Sequence, residues 1–325
     1  MEHSFQIFHE FVWGFWPGVL VVFGLGFFVG YLASFLGLGG GFIYTPFFHS
    51  FFHLTAVQAV AVSLAQMPVS ALSGLYVYFK NDKIRWRQGF LLLITSIPSA
   101  QYTAFAFGRF EDTPLGKQLY YGIPLSEFVY LIVFTVFLGI LAIYNLIAAL
   151  KKRKRYYEAL SLVRSEPNVK SLDLDNQTNP KGLESNEKKS KITNHQTQFQ
   201  FTKKSIFIVL LVGIFFGMFS SLFGIGGGFL AVPLFVYYFR MSPVEAVATS
   251  FLGIFLTSFG TTIQFLLLGK LHWELALVGS FGGIFGARIG SLKAVNAKPY
   301  TILLVTSFFQ FLVVTWYLVA KLPKF

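Results

Sequence analysis

The chain has 325 residues, of which 54% are hydrophobic and only 12% are charged. Soluble domains average about a quarter charged residues, so this composition is typical of a membrane protein and argues against a soluble enzyme or binding domain. The formal net charge of +12 would suit a nucleic-acid-binding protein, but +7 of it falls within residues 151–204. Such clustering follows the positive-inside rule of membrane proteins, and we expect no nucleic-acid partner.

Apolar runs long enough to cross a hydrocarbon core of about 30 Å recur along the chain. In chain order, we predict membrane-spanning helices over residues 16–36, 55–79, 89–108, 128–150, 205–223, 243–268, 273–292 and 299–320. Two shorter apolar pieces, 42–52 and 229–239, follow glycine clusters and are too short for an easy crossing. The predicted fold class is therefore an all-α polytopic membrane protein with Gly-broken short helices, surrounded by membrane lipid.

A hydrophilic segment separates these helices into two groups. Residues 158–198 contain no Phe, Trp or Tyr and many Asn, Ser, Lys and Glu. Such a segment cannot bury enough apolar surface to offset the entropy of ordering it, which predicts a flexible linker. We divide the chain into a first transmembrane repeat at 1–150, a basic cytoplasmic linker at 151–204 and a second transmembrane repeat at 205–325.

The two groups of helices are predicted to be homologous repeats. Adding 187 to a residue number in the first copy gives its partner in the second, and eight of the 18 residues at 30–47 are identical to those at 217–234. If the short pieces cross the membrane, each copy has five crossings and the second copy is inverted; if they are re-entrant, each has four and the copies are parallel. The positions of the basic residues favour the inverted arrangement.

Each copy contains a glycine cluster inside an apolar run: GLGGGFIYTP at residues 37–46 and GIGGGFLAVP at 224–233. Irregular backbone at membrane depth survives only where protein buries it or where it lines a cavity. Glycines there expose the N–H groups that start the next helical piece, and a helix N-terminus attracts anions, although close helix packing is an alternative role. The candidate substrate contacts are Gly37, Gly39, Gly40, Gly41, Gly224, Gly226, Gly227 and Gly228. Pro46 and Pro233 are assigned a structural role.

At this motif the sequence resembles the sulfite exporter TauE/SafE family, also called the toluene sulfonate uptake permeases. The matching residues are SFLGLGGGFIYTP and SLFGIGGGFLAVP, and the resemblance extends to AVAVS, AVATS and GGIFGARIGS. It covers both apolar halves but not the linker. The resemblance implies a duplicated protein of the bacterial inner membrane that transports small sulfur-containing anions such as sulfite, sulfonates or sulfoacetate.

Polar side chains within the predicted helices are further candidates for contact with the anion. Ser34 and Ser221 lie three residues before the first glycine of each motif, and Ser63 and Ser250 lie in the next helix. Serine in a membrane helix commonly bonds its own backbone or a neighbouring helix instead. Gln66 is the favoured lining residue among the glutamines, because its sequence neighbours are apolar.

Ionisable residues are scarce inside the predicted helices. Arg288 lies well inside an apolar run and could attract the anion, but Lys293 is five residues away, which favours an Arg288 side chain that extends to the interface. Glu127, Glu245 and Glu274 lie at predicted helix ends, and His49 is placed near an interface. The sequence therefore predicts no buried proton relay and specifies no coupling ion.

The sequence favours a transporter over an enzyme. It contains no cysteine, no arrangement that suggests a catalytic triad and no cluster with metal-ligand spacing, and Phe42 stands where a dinucleotide-binding loop needs glycine. We therefore predict a non-enzymatic permease for a small anionic substrate, without cofactor or metal and with no specified oligomeric state. The alternative is a membrane scaffold or sensor that does not transport and whose linker binds a cytoplasmic partner.

Overall fold

Helices make up nearly all of the secondary structure in the computed structural model, which describes residues 16–37, 39–120, 122–165, 203–295, 297 and 299–321. The first half contains α1 (Trp16–Leu36), α2 (Gly41–Phe51), α3 (Ala56–Lys80), α4 (Trp86–Asp112), α5 (Pro114–Lys117) and α6 (Leu125–Ser165). The second half contains α7 (Lys203–Phe223), α8 (Gly228–Pro233), a π-helical segment (Leu234–Tyr238), α9 (Pro243–Leu267), α10 (Trp273–Val295) and α11 (Pro299–Lys321). A short antiparallel hairpin pairs β1 (Leu119–Tyr120) with β2 (Ile123–Pro124).

Seven of the described helices are long and apolar enough to cross a membrane, namely α1, α3, α4, α6, α7, α9 and α10. Helix α11 carries a shorter apolar stretch, Leu304–Val319. Large apolar side chains such as Leu20, Ile94 and Phe281 are exposed on the outside of these helices, as expected for surfaces that face lipid. The predicted fold class, an all-α polytopic membrane protein, is confirmed, and the chain is an integral membrane protein.

Two features differ from the sequence-based expectation. Helix α6 continues to Ser165, fifteen residues into the segment predicted as a flexible linker from residue 151. Lys154 and Glu158 form an ion pair of 3.8 Å across one turn of this extension. The rest of the predicted linker, residues 166–202, lies outside the described residues. The β-hairpin is the second difference, because no strand was predicted.

The long helices pack through small residues. A methyl group at Gly26 of α1 would lie 2.2 Å from the carbonyl oxygen of Gly279 in α10, and one at Gly217 of α7 would lie 2.1 Å from the carbonyl oxygen of Ser96 in α4. Such approaches are possible only without a side chain, and they are the usual way in which membrane helices come close. Helix α1 therefore packs on α10, and α7 packs on α4.

Helices α3 and α9 cross the centre of the bundle in opposite directions. The Tyr78 ring near the end of α3 contacts the Phe251 ring near the start of α9, with centroids 5.8 Å apart. Just beyond α3, the Arg85 guanidinium lies 2.6 Å from the Glu245 carboxylate in the first turn of α9. The end of α3 is therefore beside the start of α9, and the two helices are antiparallel.

Both central helices begin with the same capping arrangement. The Thr55 hydroxyl accepts a hydrogen bond from the Gln58 backbone N–H, and the Gln58 side chain accepts one from the Thr55 backbone. Ser242 and Glu245 form the same reciprocal pair at the start of α9. These capping boxes satisfy N–H groups that a helix leaves unpaired, which explains why α3 and α9 begin where they do.

A second ion-pair cluster joins the halves at the other end of α4. Lys270 Nζ, between α9 and α10, lies 2.8 Å from Glu111 Oε2 and 2.8 Å from Asp112 Oδ1. Partial burial alone would lower the pKa of Lys270, but the hydrogen bonds and charges of the two carboxylates outweigh that effect, so its pKa lies above the ordinary value. Ion pairs thus connect the two halves at both ends of the bundle.

Candidate functional site: two glycine breaks that face each other

Left-handed backbone angles end the first long helix of each half. Gly37 and Gly39 have φ values of +71° and +83°, while Gly224, Gly226 and Gly227 have φ values of +71°, +82° and +72°. A side chain at any of these positions would strain the backbone, because L-residues other than glycine rarely adopt this region. The glycines of both motifs are therefore needed to interrupt α1 and α7.

After the first break, α2 turns back along α1. A methyl group at Gly40 would lie 2.4 Å from the Val29 side chain, and the Tyr44 hydroxyl donates a hydrogen bond of 3.2 Å to the Gly26 carbonyl. Increasing residue numbers on α2 thus lie beside decreasing numbers on α1. Helix α2 leads back toward the end of the bundle at which α1 begins.

The two breaks are in direct contact. A methyl group at Gly41 would lie 1.5 Å from the carbonyl oxygen of Gly224, and one at Gly228 would lie 2.2 Å from the carbonyl oxygen of Gly37. The two close approaches join positions that differ by 187, so each motif presents the same glycine to the same carbonyl of the other. The candidate site is therefore a backbone-to-backbone junction between the two halves.

Two serine hydroxyls complete this junction. Ser63 of α3 donates a hydrogen bond of 3.1 Å to the Gly224 carbonyl. Ser250 of α9 shares its hydroxyl proton between the Gly37 carbonyl, at 3.3 Å, and the Val247 carbonyl of its own helix, at 2.8 Å. The last carbonyls of a helix have no partner within the helix, and these bonds satisfy them from the opposite half. Both predicted substrate-contact serines thus hold backbone oxygens in this conformation.

The other predicted serine pair lies one turn before each break. Ser221 Oγ is 3.4 Å from Thr261 Oγ1. Ser34 Oγ is fully buried and has no hydrogen-bond partner among the described residues. Gly74 faces Ser34 at the position that corresponds to Thr261, so the first half has no second hydroxyl for this pair.

Both short helices begin without a capping side chain. The N-cap residue of α2 is Gly40 and that of α8 is Gly227, and a glycine has no side chain that could cap the helix. The first N–H groups of a helix also lack partners within it. Pro46 is buried inside α2, where it removes one more internal hydrogen bond. Pro233 is the last residue of α8, and the π-helical segment follows directly.

Gln66 of α3 lies close to the junction and is completely buried. Within the described residues, neither its amide oxygen nor its amide nitrogen has a hydrogen-bond partner. The amide lies against Gly279 of α10, where an added methyl group would be 2.1 Å from Gln66 Oε1. The next residue, Met67, contacts Gly226 of the second motif. Buried polar groups are almost always paired, so this amide is the strongest polar candidate at the site.

Comparison with known proteins identifies the family. A family model described as sulfite exporter TauE/SafE matches residues 22–317. The chain belongs to the sulfite exporter TauE/SafE family. This is a family of membrane transporters and not of enzymes, so the resemblance at the glycine motifs and the prediction of a non-enzyme are both confirmed.

Relatives of this TauE/SafE protein occur in bacteria, archaea and plants. The probable membrane transporter protein YunE of Bacillus subtilis is 27% identical over 290 residues, which cover 87% of this chain and 89% of the relative. The probable membrane transporter protein MJ0441 of Methanocaldococcus jannaschii is 24% identical over 281 residues, or 82% of each chain. Sulfite exporter TauE/SafE family protein 6 of Arabidopsis thaliana is 33% identical over 84 residues, which cover 26% of this chain and 19% of the relative. No solved structure matches.

The glycine junction of this TauE/SafE protein is closely packed. A groove of about 870 Å³ lies against α4 and is lined by Arg87, Phe90 and Leu256 among others. A cavity of about 270 Å³ lies between α4, α6 and α7 and includes Ser126 and Phe223 in its lining. Neither space is lined by a glycine of the two motifs. Because the backbones of Gly41 and Gly224 are in contact, a substrate that passes between the breaks needs the helices to move apart.

Arg288 does not take part in the junction. Its side chain is exposed on α10, as is the side chain of Gln101, its partner at a spacing of 187, on α4. An exposed Arg288 side chain can extend to the membrane interface, as the sequence suggested. It therefore does not place its positive charge at the two glycine breaks.

The expectation that His49 lies near an interface was wrong, whereas Glu127 does lie at a helix end, in the first turn of α6. His49 is only 3% exposed, and its ring lies between Glu127 of α6 and Tyr317 of α11. A titratable cluster with a buried histidine is thus present where the sequence suggested an interfacial one. The partners are too distant in sequence for a local pattern to reveal them, but the tyrosines that flank the ring, Tyr130 and Tyr317, do keep the spacing of 187.

Proposed function

We propose that this protein is a permease for a small sulfur-containing oxyanion, such as sulfite or a sulfonate, and that the substrate passes between the two glycine breaks. The family and the name of its Arabidopsis relative support this substrate class. The observation that carries the proposal is the junction itself, where two uncapped helix starts meet beside the unpaired amide of Gln66.

The chemistry of the junction suits an oxyanion. Backbone N–H groups at a helix start point along the positive end of the helix dipole and bind anions. The Gln66 amide nitrogen and the Ser34 hydroxyl add donors. Among the described residues, no Lys or Arg side chain is buried. Neutral donors stabilise an anion without trapping it, as a transport site requires.

We further propose that the two halves form inverted repeats in a bacterial inner membrane, with the segment 151–204 on the cytoplasmic side. Helix α2 returns the chain toward the start of α1, so each half makes five passes, and α3 runs antiparallel to α9. The reciprocal contacts of Gly37 with Ser250 and of Gly224 with Ser63 fit a two-fold axis in the membrane plane.

Cysteine labelling tests this arrangement. The chain contains no cysteine, so Lys83→Cys and Lys270→Cys each place a single thiol at equivalent loops of the two halves. We expect an impermeant thiol reagent to label Lys83→Cys from the cytoplasmic side and Lys270→Cys from the opposite side, because inverted copies exchange their faces. The cysteine-free parent is the control, and labelling of both positions from one side would contradict the inverted arrangement.

Substrate flux with Gln66→Leu tests the transport site. We expect wild-type proteoliposomes to take up radiolabelled sulfite or a sulfonate, and Gln66→Leu to lower that flux about tenfold or more, because one buried hydrogen bond to a charged ligand contributes roughly 1.5–3 kcal/mol. Its melting temperature should stay at or above that of the wild type, since leucine replaces an unpaired buried amide.

Gln101→Leu is the matched control, because Gln101 is exposed on α4. We expect its flux and melting temperature to equal those of the wild type. Absence of any sulfur-oxyanion flux in the wild-type protein would refute the proposed substrate class. Full flux in Gln66→Leu would remove Gln66 from the substrate path.

A further inference from the structure

One buried histidine joins the short helix α2 to two other helices. His49 lies in the last turn of α2. Its Nδ1 atom forms a hydrogen bond of 2.5 Å with the Tyr317 hydroxyl of α11. Its Nε2 atom lies 3.6 Å from Glu127 Oε2 in the first turn of α6, which is within ion-pair range but longer than a hydrogen bond.

The groups that face this ring can satisfy it in both protonation states. In the neutral ring, Nδ1 accepts the hydroxyl proton of Tyr317 and the Nε2–H points toward Glu127. In the protonated ring, both nitrogens donate, the Tyr317 oxygen accepts, and the Glu127 carboxylate compensates the positive charge. The Tyr317 hydroxyl can change from hydrogen-bond donor to acceptor by rotating its proton while its oxygen stays in place. Proton uptake at His49 therefore requires little rearrangement.

Tyrosines are the neutral titratable side chains to consider beside the ring and on its helix. Tyr130 of α6 meets the His49 ring edge-on, with centroids 6.5 Å apart. Tyr44 lies on α2 itself, but its hydroxyl is turned to the Gly26 carbonyl of α1. Neither phenol is ionised at neutral pH, because the ordinary pKa of tyrosine is about 10. The carboxylate that lies beside the ring is that of Glu127.

Glu127 connects the buried ring to the surface of the protein. Its side chain is 21% exposed, whereas that of His49 is 3% exposed. Histidine is the side chain whose unperturbed charge change falls between pH 5 and 8. A proton from solution can therefore reach His49 through the carboxylate and leave by the same route, without any oxidation or reduction.

We propose that His49 and Glu127 form a proton-binding site that sets the position of α2. Eight residues separate His49 from Gly41, which is about 12 Å of helix, and Gly41 is the residue that contacts the second break. With the proton bound, the ion pair holds α2 against α6; after its release, the Glu127 carboxylate has no cationic partner in the ring, and that attraction is lost.

The proton site belongs to one break only. Val236 stands at the position equivalent to His49, in the π-helical segment of the second half. Protonation therefore acts on the first break, while the second break has no corresponding histidine. The consequence for transport, that proton binding is coupled to movement of the anion, rests on the proposed function; the proton site itself does not.

Nitrogen-15 NMR of histidine-labelled protein in lipid bilayers tests the proton site without a substrate. The signal that disappears in His49→Gln belongs to this ring. We expect it to titrate with a midpoint between pH 5 and 8, and Glu127→Gln to lower that midpoint by about one pH unit, a tenfold loss of proton affinity. Tyr317→Phe, which keeps the aromatic packing, should also lower the His49 midpoint. It is the variant to measure if Glu127→Gln does not fold.

Glu158→Gln is the control, because Glu158 is 58% exposed on the extension of α6. The titration midpoint of His49 in this variant should equal that in the wild type. A His49 signal that does not change between pH 4.5 and 8.5 would overturn the proton site, as would a midpoint that Glu127→Gln and Tyr317→Phe both leave unchanged.

Proteoliposomes that contain a pH-sensitive dye test the coupling. The substrate is a sulfonate, which stays ionised near neutral pH and therefore carries no proton itself. We expect its flux in the wild type to move protons, and its flux in His49→Gln to move none. Proton movement that persists in His49→Gln would overturn the coupling role. If His49 titrates but the wild-type protein transports no sulfur oxyanion, the proposed function is rejected and the proton site remains.

Discussion

Gly41→Ala is expected to separate the two halves of the protein and abolish transport. The added methyl group would lie 1.5 Å from the Gly224 carbonyl oxygen and 2.8 Å from the Ile225 backbone nitrogen. These are backbone atoms on both sides, so no side chain can rotate away. We expect a loss of about 4 kcal/mol or more in the free energy of unfolding, measured as a lower melting temperature in detergent, together with loss of flux.

Two companion variants make this expectation specific. Gly228→Ala would place its methyl group 2.2 Å from the Gly37 carbonyl and should be destabilising for the same reason. At Gly24, in α1, an added methyl group meets nothing within 4 Å. Gly24→Ala should therefore be neutral or stabilise by up to about 1 kcal/mol. A Gly41→Ala protein with the melting temperature of Gly24→Ala would contradict the direct contact of the two breaks.

Removal of both junction hydroxyls is expected to be the next largest effect. Ser63→Ala and Ser250→Ala each leave the carbonyl at the end of a long helix, Gly224 or Gly37, buried without its donor. One such loss costs about 1–3 kcal/mol, so the double variant should lose about 2–6 kcal/mol. Chemical or thermal unfolding of the two single variants and the double variant measures these losses.

The serine variants also separate a structural role from substrate contact. Ser70→Ala is the control, because the bonds of the Ser70 hydroxyl to described residues go to the carbonyls of Gln66 and Met67 within its own helix. We expect it to change stability by about 0.5 kcal/mol or less. If Ser63→Ala and Ser250→Ala unfold like Ser70→Ala and yet lose flux, their hydroxyls contact the substrate and not the backbone.

Helix positions were accessible from sequence because the bilayer restricts them strongly. A hydrocarbon core of about 30 Å demands about 20 apolar residues, and the predicted helix at 16–36 agrees with α1, as that at 243–268 agrees with α9 to within one residue. The glycine clusters marked the breaks for a similar reason, since only glycine takes left-handed angles freely. These features are local, and local composition reveals them.

The polar contacts of the site were not accessible in the same way. Ser63 and Gly224 are 161 residues apart, and His49 and Tyr317 are 268 apart. Which hydroxyl meets which carbonyl depends on how helices pack, and a single sequence does not carry that information. The placement of His49 was wrong because proximity to a helix end was taken as exposure, while the neighbouring helices α6 and α11 cover that end.

The linker boundary was misplaced for another reason. Low apolar content at 151–165 argues that this segment is not buried, but it does not argue against a helix. Lys, Arg, Glu, Leu and Ala are strong helix formers, and a helix that already exists extends without a new nucleus. The segment therefore continues α6.

The exchange of hydrogen bonds at the junction bears on how the protein is made. The Gly37 carbonyl finds its donor in Ser250, 213 residues later in the chain. When a ribosome has inserted only the first half, the end of α1 has no partner for that oxygen. The junction at the end of α1 can therefore be completed only after α9 has been inserted, and its hydrogen bonds form between the two halves and not within either one.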